Sequence, residues 1–204
     1  ATGDIIIIQN PEVMYVGDII KYTIDNLCPY DWLSFNCYGS PSFEFNDELY
    51  VLSDSEKLSK IYNLEFSIGG NSVQRNNVGG WLNHYDKHFV AYHYCASIYK
   101  SDLIDIMEGG FKEEFKDGIG ADDDEYIKRL IYNNFKFKIN KFEKDKPFVI
   151  HQYHEKPNQV KNIHKHKNNR EIFDKLCKEM NFIPENNIYL APLNETPKGN
   201  IIII

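Results

Sequence analysis

Four acids stand in a row at Asp122, Asp123, Asp124 and Glu125, directly after the glycine-rich turn Gly118-Ile119-Gly120-Ala121. An ionised carboxylate can take a proton from an attacking hydroxyl or ligate a metal ion. The spacing predicts a helix from Asp122, which suits an N-cap, with Glu125 completing a capping box. Tyr126, Ile127, Leu130 and Ile131 then recur at helical spacing and give that helix a buried face. Unpaired N–H groups and the dipole at a helix N-terminus favour negative charge, so the acids are expected to stay ionised at neutral pH. Gly118 and Gly120 allow a tight turn and leave room beside the acids for a ligand. A plain helix cap on a solvated surface is the other reading of such a run.

Other residues with chemical potential are scattered along the chain. Trp81 and His84 lie in Gly79-Gly80-Trp81-Leu82-Asn83-His84. They read either as a sugar-stacking indole with a hydrogen-bonding imidazole or as a buried pair. His151 and His154 follow the apolar run Phe148-Val149-Ile150, in His151-Gln152-Tyr153-His154-Glu155. Their i, i+3 spacing on a loop is a weak metal signature. Gln9-Asn10-Pro11-Glu12 ends the β-branched run Ile5–Ile8 and offers Asn10 and Glu12 as oxygen donors, or is simply a turn. His93 and Cys95 read as core residues of a strand over 89–98. The basic stretch 156–170, with Lys161, His164, Lys165, His166 and Lys167, reads as a solvated loop or a flexible one closing over a diphosphate.

Residues 118–130, Gly-Ile-Gly-Ala-Asp-Asp-Asp-Glu-Tyr-Ile-Lys-Arg-Leu, resemble the acceptor-side motif of glycosyltransferases of the GT-A fold. The β-1,4-galactosyltransferases and family 2 chondroitin-type polymerases are the nearest comparisons. Gly109-Gly110-Phe111, Glu113 or Glu114 with Phe115, the Asp122-Asp123 pair and Arg129-Leu130 carry the likeness, joined by a Trp-x-x-His at Trp81 and His84 and a His-Gln at His151-Gln152. The resemblance implies an inverting transfer from a nucleotide sugar, a UDP-sugar in the first instance, to a saccharide or glycan hydroxyl. Asp123 would be the catalytic base and Asp122 its acceptor-holding neighbour. Trp81, His84, Gly110, Asp124 and Arg170 would contact substrate. His151, with His154, Asn10 and Glu12 as further ligands, would hold a manganese or magnesium ion on the leaving diphosphate. The Asp-x-Asp that normally follows the first of these strands is replaced by Gln9-Asn10-Pro11-Glu12. Two other functions compete: a non-catalytic carbohydrate-binding or scaffolding domain of the same fold, and a metal-dependent hydrolase built on Asp122–Asp124 and the histidines.

The elements expected to position these groups are of the α/β class: a GT-A-like, Rossmann-like mixed sheet flanked by helices. Strands are expected at 5–8, 32–38, 89–98, 135–139 and 148–150. Helices are expected over 18–26, 47–64, 101–107, from 122, and 170–180, with loops at 39–46 and 69–80. The resemblance places the nucleotide-binding elements before Ile5, so the chain reads as the acceptor and metal half of such a fold. The terminal Gly199-Asn200 and tetra-isoleucine suggest truncation as well, since a bare Ile201–Ile204 would invite aggregation.

At 204 residues the length suits one domain with a sizeable core, and 42% hydrophobic with 26% charged residues is a globular balance. A net charge of -7 argues against a nucleic-acid partner, whose binders are usually basic. Cys28, Cys37, Cys95 and Cys177 form no C-x-x-C pair and read as reduced thiols. No apolar run reaches membrane-spanning length, and a cytoplasmic location is expected. Abundant lysine, asparagine and isoleucine suggest AT-rich coding DNA, as in a bacterium or a large DNA virus whose product works in the host cytoplasm.

Overall fold

The stretch 32–38 alternates like one strand, yet it is broken at Phe35-Asn36, and the break divides the protein into two sheets. The structure, a computed structural model, describes residues 2–67, 79–90, 92–155, 162–179 and 201–204. In chain order the strands are β1 (Ile5–Gln9), β2 (Val13–Val16), β3 (Asp31–Ser34), β4 (Cys37–Gly39), β5 (Gly80–Asn83), β6 (Cys95–Tyr99), β7 (Lys136–Ile139), β8 (Phe148–His151) and β9 (Ile201–Ile203). The helices are α1 (Ile19–Asn26), α2 (Phe43–Tyr50), α3 (Asp54–Ser67), α4 (Asp122–Tyr132) and α5 (Ile163–Glu179), with a π-helical turn at Asp102–Ile106 and a 3-10 turn at Glu113–Phe115.

One sheet has the order β1-β6-β3-β7-β9 and the other β2-β8-β4-β5. The pairs β3–β7, β7–β9 and β4–β8 are parallel, and the remaining neighbours are antiparallel. The architecture is therefore mixed α/β, with two mixed sheets in place of the single sheet expected. Phe35 and Asn36 connect them: Phe35 N donates to Cys95 O at 3.1 Å, while Asn36 O accepts from Val149 N at 2.9 Å.

Each sheet packs its own core. Trp32, Ile98, Phe137 and Phe135 meet Tyr126, Ile127 and Leu130 of α4, the apolar face expected of that helix. Tyr38, Phe148 and Ile150 meet Leu49 of α2 and Ile61 of α3. Leu33, Phe35, Cys37, Cys95 and Val149 lie with Ile19 at α1 and draw on both sheets. Burial pushes the Cys95 thiol up to about 12 and Cys37 well above its usual range, so neither ionises at neutral pH.

Several expected boundaries move. β2 and β5 were not expected, and the helix expected over 47–64 is two, α2 and α3. α2 begins inside the expected 39–46 loop because Ser42 caps it, its hydroxyl accepting from Phe45 N at 3.2 Å. The 101–107 helix is π-helical over 102–106, and Ser101 makes no side-chain cap. α5 starts at Ile163, so residues 163–169 of the expected basic loop are helical, while 156–161 lie outside the described residues. The expected 69–80 loop lies outside them for all but its last two residues, and Gly80 opens β5. Ile201–Ile203 are not bare: they pair in parallel with Phe137–Ile139.

Trp81 shows how tightly the second core closes. It is 1% exposed, with ring neighbours Tyr38 at 5.3 Å, Phe142 at 4.8 Å and His84 at 4.5 Å. No sugar face can reach that indole, which corrects the stacking role expected for it. Trp81→Ala should lower unfolding free energy by about 3–5 kcal/mol, the usual cost of emptying an aromatic core site. Urea denaturation checks this, and a loss below about 1 kcal/mol would contradict the packing.

Candidate functional site

The N-terminus of α4 is built differently from the expected capping box. Ala121, in the left-handed region at φ 67°, is the N-cap and supplies no side-chain hydrogen bond, so Asp122 is already the first helical residue. Glu125 is fully buried and turned away from the cap, toward Arg129 one turn on. The pair is bidentate, Nε to Oε1 at 2.7 Å and Nη2 to Oε2 at 2.9 Å. The same guanidinium donates to Met107 O and, at 2.8 Å, to Gly110 O. Five donors in a rigid fork suit Arg to this work, which lysine could not copy. Gly110 thus enters through its backbone carbonyl, as the point where α4 grips the glycine-pair turn.

That turn presents Phe111, whose ring lies 4.9 Å from Tyr126 and 4.7 Å from His93. His93 Nδ1 in turn makes an ion-pair contact with Asp123 Oδ1. The contact is close but not a directed hydrogen bond, so that buried carboxylate oxygen keeps no hydrogen-bond partner. His93 was expected in the core and is instead the residue facing the acid. Three ring-bearing polar residues in succession, Tyr92-His93-Tyr94, just before the apolar β6, were the available sequence signal.

Neighbouring groups sort the three aspartates. Asp124 Oδ1 accepts from Tyr92 Oη at 2.6 Å, and its Oδ2 lies 3.9 Å from Arg170 Nη1. Burial and the Asp124 bond push the Tyr92 hydroxyl pKa strongly up, so it remains a donor. Burial first, then the adjacent Asp123 charge, raises the Asp122 carboxyl above the usual carboxylate range; backbone N–H groups and His93 only partly offset this. At Asp122 desolvation therefore outweighs the favourable backbone N–H groups of the helix terminus.

Glycine at 118 has a steric reason. A Cβ there would lie 1.7 Å from Asn169 Oδ1. Asn169 is buried on α5 and donates to Phe115 O at 3.2 Å and Gly120 O at 2.8 Å. This amide holds the glycine turn against α5, and a small cluster of Phe115, Phe173 and Cys177 completes the seam. α5 thereby brings Arg170 to Asp124.

The second group gathers at the end of β8. Val13 pairs with His151, and Gln152 N donates to Glu12 O at 2.9 Å. The rings of His151 and His154 lie 5.3 Å apart, and His154 Nε2 is 4.0 Å from Glu12 Oε1. The structure thus brings together three of the four expected metal ligands. Asn10 stands beside them, its backbone N–H donating to Tyr94 O at 3.3 Å. Among the described residues no group of three or more His, Cys, Asp or Glu side chains is arranged to hold a metal ion. The compact carboxylate–histidine centre of a metal hydrolase is likewise not assembled there: Asp123 faces His93, while His151 and His154 gather with Glu12. The two groups flank one segment, since Tyr92 and His93 reach the acids while the Tyr94 ring lies 6.0 Å from His151.

Comparison with protein-family models, curated proteins and solved structures finds no match. Among the described residues no helix is long and apolar enough to cross a membrane.

His84, expected to offer a hydrogen bond to a sugar, is 2% exposed and serves the backbone. Its Nδ1 accepts from Asp86 N at 3.1 Å and Lys87 N at 3.0 Å. Burial, with a smaller contribution from Lys87, lowers its pKa to about 3. The unfolded chain therefore binds this proton more readily than the folded one between pH 6.5 and about 3. Stability from the neutral ring is complete above pH 6.5 and is lost as pH falls. The loss should be about 2 kcal/mol between pH 6.5 and 5. Unfolding titrations of wild type and His84→Gln over that window check this; identical slopes would contradict the assignment.

Proposed function

We propose that this protein is an inverting glycosyltransferase of GT-A type, moving a sugar from a nucleotide sugar to a saccharide hydroxyl. The observation that carries the reading is the separation of roles among three adjacent aspartates. Asp124 is engaged by Tyr92 and Arg170 and holds position. Asp123 turns its buried Oδ1 to the His93 imidazole while its side chain stays a third exposed, so its second oxygen is the one a general base would use.

In the proposed step the acceptor O–H breaks and its proton passes to Asp123. The acceptor oxygen forms a bond to the anomeric carbon as the opposite bond to the diphosphate oxygen breaks, which inverts the centre. Asp122, beside the base, accepts from an acceptor hydroxyl. Arg170, half-buried on α5 near Asp124, supplies positive charge toward the diphosphate. A manganese or magnesium ion on His151, His154, Asn10 and Glu12 belongs to the same reading, but these side chains as placed do not form a ligand set and no step is derived through one. The four free cysteines fit a reducing, cytoplasmic setting.

Release of nucleoside diphosphate from a panel of nucleotide sugars, with and without manganese and with saccharide acceptors, tests the proposal. Asp123→Asn should reduce release about 10²–10⁴-fold, the range ascribed to a general base. Equal rates for the two proteins would remove Asp123 from the mechanism. No release from any donor would leave a saccharide-binding domain without transfer.

A further inference from the structure

β4 and β8 run parallel, and their carboxyl ends lie side by side: Gly39 pairs with His151, and Ser40 N donates to His151 O at 2.9 Å. In open α/β sheets such ends are where ligands bind, because the chain there leaves the sheet in loops and helix N-termini. Here one exit leads through Ser42 into α2 and the other through Gln152 to Tyr153. The exits are locked together by Asn46, 5% exposed, which acts on the Tyr153 backbone as a strand partner would. Asn46 Nδ2 donates to Tyr153 O at 3.0 Å, and Tyr153 N donates to Asn46 Oδ1 at 3.0 Å.

This clamp sets the Tyr153 ring edge-on to Phe43, with centroids 4.9 Å apart at 85°. Phe43 is 51% exposed at the first turn of α2. Tyr50, 61% exposed at the last turn, hydrogen-bonds Gln152 Oε1. A buried amide thus orders the half-buried Tyr153 beside Phe43 and Tyr50, which remain open to solvent. Gln152 and the His154–Glu12 pair supply an amide, an imidazole and a carboxylate beside them.

We infer that Phe43 and Tyr153 form a saccharide subsite, taking the C–H face of a pyranose ring while the adjacent polar groups meet its hydroxyls. This inference rests on the saccharide-handling reading above. Aromatic surface interleaved with planar hydrogen-bonding groups suits a sugar, which is apolar on its ring face and polar at its rim. A protein partner would require a wider apolar area. A nucleotide base could also stack on the rings, and the separate measurement with UDP distinguishes it from a sugar.

Saturation-transfer NMR on the full chain with cellotetraose, chitotetraose and N-acetyllactosamine, and separately with UDP, tests the subsite without any donor. At least one oligosaccharide should show transfer to its ring protons. Phe43→Ala and Tyr153→Ala should each weaken its Kd about tenfold, near 1.4 kcal/mol, with UDP unaffected. Because the clamp holds the Tyr153 backbone, neither truncation should disturb folding, which circular dichroism verifies. No transfer from any of the three, transfer unchanged in both variants, or a loss confined to UDP would each overturn the subsite. Unchanged transfer leaves the transferase reading standing with its saccharide elsewhere. Tenfold weakening with no nucleoside diphosphate release would retain the subsite and reject the transferase.

Discussion

The arrangement depends on how one extended stretch crosses from one sheet to the other at Phe35-Asn36. Buried backbone groups left unpaired are costly, so a chain leaving a sheet through the core needs replacement partners. Three fully buried asparagines supply them. Asn83 Nδ2 donates to Phe35 O at 2.9 Å; Asn36 Nδ2 donates to Asn140 O at 2.6 Å, and its Oδ1 accepts from Tyr85 N at 2.9 Å. Asn140 Nδ2 reaches Pro147 O at 2.7 Å, tying in the approach to β8. Asparagine suits this place because one side chain both donates and accepts.

The crossing determines where chemistry can gather. The five-stranded sheet and α4 carry the acids, whereas the four-stranded sheet carries His151. The segment 92–94, entering β6 beside the crossing, touches both groups. Around the acids the contacts close into a ring: α4 carries Arg129, Arg129 holds the Met107–Gly110 turn, the turn presents Phe111, Phe111 packs on His93, and His93 meets Asp123 on α4 again. The Asp123 carboxylate thus stands at the end of a closed series of contacts that Arg129 anchors from within the core.

Legibility in the sequence followed the range of the governing interaction. Local patterns were dependable: the Ile5 strand, the α1 helix capped by Asp18, the apolar face of α4 and the strand ending at His151 all rest on near neighbours. The acidic run with its glycines was visible as a candidate site, although Glu125 read as a cap because Ser/Asp-x-x-Glu spacing is common to caps. A buried arginine one turn away decided otherwise, through an ion pair that a cap could not match. Trp81 and His84 had the residue types of a sugar site but entered the core, since burial depends on which strands cover them.

The amino-acid sequence by itself determined an α/β chain with an acidic helix start after a glycine-rich turn, and a histidine pair after a buried strand. Those features follow from periodicity, turn chemistry and charge, all local in the chain. Tertiary structure alone decided that the 32–38 stretch serves two sheets, that His93 meets Asp123, and that Asn46 orders Tyr153 beside Phe43. Each joins residues 30 to more than 100 positions apart, and desolvation with packing, rather than local propensity, selects such pairs.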